Sequence, residues 1–332
     1  MKIFITGANG FIGSNLCRYF LDKGWDVYGL VRTTSDLHFL EGLNVKLLYG
    51  DLLRPEAIDI PRNISHVVHS ASIVSDLADE DTCYRNIYLL AVNLVQRIRE
   101  LQVPLKRLAY ISTALTIGIN GRNISEENPG HSAESIAYTR YKIKTEKYFR
   151  EQWEQTRLPM VILRPADVYG PNDRITCGRL LRVCEKGSPL IVGRGHWQFG
   201  YCYVGNVCQA VHLALTKEGV EGKAYTVTNS ELPTWKAFFK ALQKALGKKQ
   251  RLYIPVWGAF TAASLMQFVH KIIPKYDPPL TRYRIRRVTN DTTYDISKTI
   301  AELGYEPDNR TERQIEEIVA WYRKEREHGF IR

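Results

Sequence analysis

The chain has 332 residues, 44% of them hydrophobic and 24% charged, the balance of an ordinary soluble globular protein, and its length suits one large domain or two unequal ones. A net charge of +11 suits an anionic ligand such as nucleotide phosphates, an acidic substrate or a membrane surface. No basic run interleaved with aromatics precedes residue 280, which argues against nucleic acid. The six cysteines (Cys17, Cys83, Cys177, Cys184, Cys202 and Cys208) form no C-x-x-C pair, which sets aside a zinc site, another metal centre or a disulfide frame and points to reduced, cytoplasmic core residues.

The first strand is predicted over Lys2 to Thr6, close enough to the start to leave no room for a signal peptide. It runs into Gly7-Ala-Asn-Gly10-Phe-Ile-Gly13 and then a helical pattern from Ser14 to Lys23. Strand, glycine-rich turn and helix in that order aim backbone N–H groups and a helix N-terminus at a pyrophosphate, and side chains at the glycines would block its approach. A second strand, Asp26 to Val31, ends where an NAD site would carry a carboxylate for the ribose 2′-hydroxyl. Arg32 follows it instead, with no acid between Val27 and Thr34, so a 2′-phosphate is the expected partner: NADP(H) is preferred and NAD(H) is the second option.

Further strands are predicted at Val45 to Tyr49, His66 to Ser70, Arg107 to Ile111 and Met160 to Leu163, separated by helical patterns that include Asp81 to Gln102 and Tyr138 to Trp153. This alternation implies an α/β fold with a doubly wound parallel sheet, whose ligands bind beyond the carboxyl ends of the strands. Tyr138 and Lys142 fall one helical turn apart on the same face. An ammonium beside a phenol favours the phenolate, so this pair is expected to bring the tyrosine into range for proton transfer. The same spacing also occurs on solvated helix faces.

The expected division is 1–170 plus 201–228 for a nucleotide-binding domain and 171–200 plus 229–332 for a smaller substrate-binding portion, with a return to the sheet around Tyr201 to Leu215. Ile254 to Ile273 is unusually apolar, with Trp257, Phe260, Leu265, Phe268, Val269 and Ile272 at roughly helical spacing. Pro255, Gln267, His270 and Lys271 argue against a membrane span. A core helix, a cover over an apolar substrate and a helix lying on a membrane are the three readings left open. Arg282, Arg284, Arg286 and Arg287 follow at alternating spacing, as a solvated strand face or as a grip on an acidic group.

The chain resembles the extended short-chain dehydrogenase/reductase superfamily over essentially its whole length. The residues that carry the resemblance are Thr6-Gly7-x-x-Gly10-x-x-Gly13, Gly50-Asp51-Leu52, Ser112-Thr113, Tyr138-x-x-x-Lys142, Arg164-Pro165 through Tyr169-Gly170-Pro171, Tyr203-Val204-Gly205-Asn206-Val207, Asp295-Ile-Ser-Lys298 and Leu303-Gly304-Tyr305-x-Pro307. The resemblance implies a Rossmann-type fold and a role for each matching position. Gly7, Gly10 and Gly13, with the backbone of Phe11 and Ile12, would cradle the pyrophosphate. Asp51 and Leu52 would flank the adenine, and His69, Ser70 and Ala71 would run beneath the cofactor. Thr113 would hold the substrate oxygen, Tyr138 would move the proton, Lys142 would bind the ribose and lower the tyrosine pKa, and Pro165 and Ala166 would line the nicotinamide. Asn86 would brace the strand ends. Homodimers built on helices near 85–101 and 138–153 are implied in the same way.

Departures from the family pattern narrow the expected substrate. Ala114 and Leu115 replace the acidic pair that dehydratases carry, and Phe199 stands where sugar-nucleotide enzymes place an arginine for the diphosphate, with Arg194 nearby as a substitute. Tyr141 replaces a usually small residue. The tail, with Pro278-Pro-Leu-Thr-Arg282-Tyr-Arg284, and the stretch Tyr203-Val-Gly-Asn206 look most like the branch of 3β-hydroxysteroid dehydrogenases, sterol-4-carboxylate 3-dehydrogenases and bacterial reductases of long-chain β-keto acids, whose shared chemistry is hydride exchange at an oxygen-bearing carbon on an apolar skeleton, sometimes β to a carboxylate. The expectation is an oxidoreductase that interconverts a secondary alcohol and a ketone on a hydrophobic substrate, sterol-like or a long-chain β-keto or β-hydroxy acid, cytoplasmic or membrane-associated through 254–273. Its rivals are a nucleotide-sugar epimerase and a non-catalytic NADP-binding sensor.

Overall fold

In the first strand, β1 (Lys2–Thr6), Ile3, Phe4 and Ile5 are all buried, as a strand covered on both faces requires. The computed structural model describes every residue except 132, 186–189, 249–251, 274, 277 and 331–332. After β1 come α1 (Phe11–Asp22), β2 (Asp26–Val31), β3 (Lys46–Tyr49) and β4 (His66–His69), then α2 (Glu80–Cys83) and α3 (Leu90–Glu100) joined by a π turn over Tyr84–Leu89. β5 (Arg107–Ile111), β6 (Gly121–Ile124), α4 (Ala137–Thr156), β7 (Met160–Pro165) and β8 (Asp167–Tyr169) follow. The remainder comprises α5 (Cys177–Glu185), β9 (Leu190–Val192), β10 (Tyr201–Tyr203), α6 (Val204–Thr216), β11 (Ala224–Val227), α7 (Trp235–Leu246) and β12 (Leu252–Ile254). It ends with α8 (Val256–Ile272), α9 (Arg282–Val288), β13 (Thr292–Tyr294), α10 (Ser297–Leu303) and α11 (Thr311–Glu327).

The main sheet has seven strands in the order β11-β7-β5-β4-β1-β2-β3, all pairs parallel, and is the doubly wound Rossmann-type sheet expected. Side-chain alternation splits the core into two layers. Ile3 and Ile5 face Leu16, Cys17 and Phe20 of α1 and Val207, Val211 and Ala214 of α6, whereas Phe4 points to the opposite face with Leu94 and Ile98 of α3 and Phe149 of α4. A third core joins α5, α7 and α11 through Leu181, Phe238, Leu242, Ile315 and Ile318. All six cysteines are buried and unpaired.

Three local expectations are corrected. The seventh strand of the sheet is Ala224–Val227 on β7, whereas Tyr201–Tyr203 pairs with β8 in a separate two-stranded ladder before the chain turns into α6. The first helix starts at Phe11 and not Ser14, because Gly10 occupies the N-cap in an extended conformation. The arginine-rich segment is a helix, opened by Thr281, whose hydroxyl accepts from the Arg284 N–H at 3.1 Å. Its alternating arginines misled because the cap and the helix-forming arginines were outweighed by a period-two pattern.

α8 inverts the usual burial of an amphipathic helix. Only Ala259 and Ala263 are buried, against Ile285 of α9, while Trp257, Leu265, Phe268 and Ile272 are 74%, 65%, 60% and 65% exposed. With Thr261 they make a stripe at helical spacing on the outer face. The core-helix reading is therefore wrong for these four side chains, while Phe260 packs, partly buried, beside Ala259 and Ala263. No helix among the described residues is long and apolar enough to cross a membrane.

Candidate active site

The candidate site starts at the glycine turn. Gly7 has φ +67°, and a Cβ there would lie 2.9 Å from the Ala71 Cα; a Cβ at Gly13 would lie 2.0 Å from the Gly7 carbonyl oxygen. Strand, turn and helix therefore touch through backbone alone. Ser14 N–H closes onto the Gly10 carbonyl at 2.9 Å, which leaves the N–H groups of Phe11, Ile12 and Gly13 in the first turn of α1, where an α-helix has no carbonyl to offer them. Such a turn fits a pyrophosphate. Thr6, which the sequence reading passed over except as part of a motif, organises the next strand end: its hydroxyl meets His69 Nδ1 at 2.9 Å and accepts from Ala71 N–H at 3.2 Å, while Ser70 Oγ donates to its carbonyl at 2.8 Å.

The other proposed cofactor residues follow successive strand ends. Arg32 is exposed after β2, and its N–H donates to Ser35 Oγ at 3.0 Å. Asp51, after β3, accepts from Leu53 N–H at 2.9 Å, and Leu52 is buried with its carbonyl held by Asn93 at 2.6 Å. Pro165 ends β7 and Ala166 N–H donates to the Val227 carbonyl at 2.9 Å. The sheet order puts Arg32 and Asp51 at one edge of the sheet and Thr113, after β5, nearer the other. A dinucleotide lying across the carboxyl ends of the strands would pass from one to the other.

The catalytic candidates meet at the end of β5. The helical period of α4 places Tyr138, Lys142 and Glu146 on one buried face. Lys142 Nζ donates to the Ile111 carbonyl at 2.9 Å and lies 5.1 Å from the Tyr110 ring centroid and 5.9 Å from that of Tyr138. Thr113 caps a short turn, its hydroxyl accepting from Leu115 N–H at 3.3 Å, and it also lies against the Tyr138 phenol and favours its ionised form. The expected depression of the Tyr138 pKa by Lys142 is not what this arrangement gives. Burial raises the phenol well above its ordinary value, Tyr283 adds to the rise, and Thr113 and Arg287 only partly offset it.

Burial likewise lowers Lys142 to about 7, against a smaller raising effect of Glu146. A base whose folded pKa falls below its unfolded value binds fewer protons folded than unfolded between the two values, so its contribution to stability rises with pH across that window. The unfolded lysine titrates near 10.5, and unfolded thiols begin to ionise near 9.0 and pull the other way. Urea unfolding of the cofactor-free protein is therefore expected to show stability rising from about pH 7 to about pH 9. Lys142→Met should flatten that rise; an unchanged slope would mean that Lys142 is protonated and well solvated in the folded chain.

Beneath Thr113 lies a charged network that the sequence reading did not identify. Glu146 accepts from Ser112 Oγ at 2.5 Å and Thr116 Oγ1 at 3.0 Å, and from Arg164 Nε at 3.0 and 3.1 Å and also its Nη2. Arg164 Nη1 reaches Glu126 at 2.5 Å. Glu146 lies eight residues after Tyr138, so the helical period that linked Tyr138 to Lys142 would have found it.

Other expectations resolve locally. Bracing near Asn86 comes from its backbone: the π turn carries a carbonyl that accepts from Ile73 N–H at 3.3 Å, while the side chain donates to the Thr82 carbonyl at 2.9 Å. Tyr141 joins Tyr84 and Tyr88 around Lys144, whose Nζ lies 4.6–5.7 Å from the three ring centroids. Phe199 is buried and stacked on Trp235, centroids 3.7 Å apart, and so lies in the core, while Arg194 is exposed in the turn after β9.

A family model described as the NAD dependent epimerase/dehydratase family matches residues 3–228. The chain is 27% identical to a decarboxylating sterol-4-alpha-carboxylate 3-dehydrogenase of Candida albicans, covering 96% of this chain and 97% of the relative. It is 27% identical to a 2-alkyl-3-oxoalkanoate reductase of Shewanella oneidensis, covering 91% and 81%. Among solved structures, a UDP-glucuronic acid 4-epimerase from Bacillus cereus in complex with NAD superposes with a TM-score of 0.77 at 20% identity, over 98% of this chain and 97% of that one.

Proposed function

The chain belongs to the NAD dependent epimerase/dehydratase family, and we propose that it is an NADP(H)-preferring oxidoreductase that interconverts a secondary alcohol and a ketone on a hydrophobic substrate. The observation that carries the reading is the meeting of Thr113, Tyr138 and Lys142 at the end of β5. The names of the two relatives, a sterol carboxylate dehydrogenase and an oxoalkanoate reductase, support an apolar substrate. When bound, the nicotinamide cofactor supplies or accepts the hydride at the reacting carbon. Gly7, Gly10 and Gly13 with the N–H groups of Phe11 and Ile12 would hold its pyrophosphate, and Asp51 and Leu52 its adenine. His69, Ser70 and Ala71 would pass below, Pro165 and Ala166 would line the nicotinamide, and Lys142 would hold the ribose. Thr113 orients the substrate oxygen, and Tyr138 gives or takes the oxygen's proton.

Arg32 is assigned the 2′-phosphate. Fluorescence titration is expected to give tighter binding of NADPH than of NADH, and Arg32→Ala should weaken NADPH roughly 10- to 100-fold while leaving NADH nearly unchanged. Equal affinities in the parent protein would remove Arg32 from the site. Oxidation of the bound NADPH by a long-chain β-keto acid tests the reaction itself. Tightening by uridine diphosphate with no such oxidation would favour the epimerase rival, which uses the same three residues. Turnover of any secondary alcohol dependent on Tyr138 separates both from a non-catalytic sensor.

Two partners complete the reading. Tyr84, Tyr88 and Tyr148 with Lys144 give the faces of the π turn and α4 the aromatic and cationic surface suited to a homodimer. The apolar stripe of α8, which contains no acidic residue and is followed by exposed Lys271, Lys275, Arg282 and Arg286, suits a peripheral contact with an anionic membrane from the cytoplasm. The protein is expected to pellet with vesicles containing phosphatidylserine, and Trp257→Ser with Phe268→Ser should lower partitioning at least tenfold, about the effect of exposing one large apolar side chain. Pelleting unaffected by both changes would place the contact elsewhere.

A further inference from the structure

The first acid after β2 is Asp36. Arg32 and Ser35 close a tight turn, the Ser35 N–H donating to the Arg32 carbonyl at 2.9 Å, and Asp36 follows it directly. The ends of such a turn lie within about 7 Å of each other, so Asp36 is held near the arginine assigned to the 2′-phosphate. The Asp36 carbonyl accepts from Asn9 Nδ2 at 3.2 Å, which ties the loop to the glycine turn. A free carboxylate there would repel a 2′-phosphate.

That carboxylate is not free. Arg174, from the segment after β8, donates Nη1 to Asp36 at 2.7 Å, and the His38 N–H donates to the same carboxylate at 3.0 Å. The arginine is itself fixed from three sides. Its segment is docked on the first turns of α1, where Asn172 Nδ2 donates to Ser14 Oγ and Asn15 Nδ2 to the Pro171 carbonyl, both at 3.0 Å. Its guanidinium carbon lies 4.3 Å from the Phe39 ring centroid and 5.8 Å from that of Phe330. Its Nη2 lies 3.8 Å from Glu325 near the end of α11, and that carboxylate also meets His38 Nε2 at 2.9 Å. Glu325 is 7% exposed at the side chain against 59% for Asp36, so α11 supplies a buried anchor and Asp36 the end that faces solvent.

We propose that Arg174 is a positioning residue that sets cofactor selectivity through Asp36: it neutralises the carboxylate beside Arg32 and holds it toward α11, so that the loop accepts a 2′-phosphate and the end of α11 takes part in choosing the cofactor. The inference rests on the assignment of Arg32 to that phosphate. Released from Arg174, Asp36 would present to the same place the kind of group that accepts a ribose 2′-hydroxyl. One ion pair between distant segments therefore decides which of two charges the loop shows to the cofactor.

The test is fluorescence titration of the full chain with NADPH and NADH, at about 0.02 M and about 0.5 M salt, for the parent, Arg174→Met and Arg174→Met with Asp36→Asn. Arg174→Met is expected to weaken NADPH about tenfold and to leave NADH within about twofold, a loss that shrinks at the higher salt because the charges lie near the surface. Adding Asp36→Asn should return the NADPH preference to within about threefold of the parent, since the loop is then as neutral as it is with the pair intact. A pair that only held the loop in shape would behave differently, because both variants lack it. Equal losses of NADPH and NADH in Arg174→Met, a loss insensitive to salt, or a double variant as weak as Arg174→Met would overturn the proposal. A preference in Arg174→Met equal to the parent's would overturn it and leave Arg32 its role, whereas equal affinities in the parent would remove the role of Arg32 and this one with it. Glu325→Gln, which loosens Arg174 without removing its charge, should lower the preference about threefold; an unchanged preference there would overturn the part assigned to α11.

Discussion

Tyr138→Phe is expected to lower turnover of the secondary alcohol by about 10^3-fold, within the range over which a positioned acid or base contributes to a rate, while NADPH binding stays close to that of the parent. The phenol is 7% exposed and packs with Cys83, Ile87 and Ala137, so the phenylalanine ring fits the same space and the variant should fold normally. Only the oxygen is lost, and with it the group that faces Thr113. Single-turnover absorbance at the reduced nicotinamide band separates hydride transfer from product release. A rate within about tenfold of the parent would assign the proton to another group.

Glu146→Ala is expected to destabilise the fold by about 3–5 kcal/mol, the usual effect of removing one partner of a buried ion pair. Glu146 and Arg164 are 5% and 7% exposed at the side chain, so Arg164 would keep its charge in a buried position with only Glu126, itself shared with Arg150, to balance it. Ser112 and Thr116 would lose their common acceptor on either side of Thr113, and the rate should fall with the stability. Urea titration measures the first effect. Glu146→Leu combined with Arg164→Met should recover much of the lost stability and little of the activity, because an apolar pair can pack but cannot hold the two hydroxyls. A loss below about 1 kcal/mol in Glu146→Ala would mean that water screens the pair as it does at a surface.

Both predictions rest on α4, and the sequence disclosed α4 unevenly. Tyr138 and Lys142 are legible because a helix repeats every 3.6 residues and their chemistry is conspicuous. Glu146 belongs to the same period but resembles any helix-surface acid until Arg164 is brought against it from β7. The depressed phenol pKa expected from Lys142 was a sequence inference about two neighbours; the folded chain buries both, and desolvation outweighs their mutual influence.

What the sequence by itself determined was local and periodic. The strand, glycine turn and helix at residues 2–22, the strands whose ends carry Arg32, Asp51, His69, Thr113 and Pro165, and the alternation that made the sheet parallel all follow from patterns a few residues long. Tertiary structure decided what depends on distant segments meeting. It put β11, and not the segment after Tyr201, at the sheet edge, set Arg287 against Asp167 across 120 residues of chain, and left Trp257, Leu265, Phe268 and Ile272 of α8 outside because Ala259 and Ala263, with Val256 and Phe260 packed beside them, seat the helix on α9. Short-range sterics and hydrophobic periodicity are written in each window of sequence, but which charge ends beside which phenol depends on how whole layers pack.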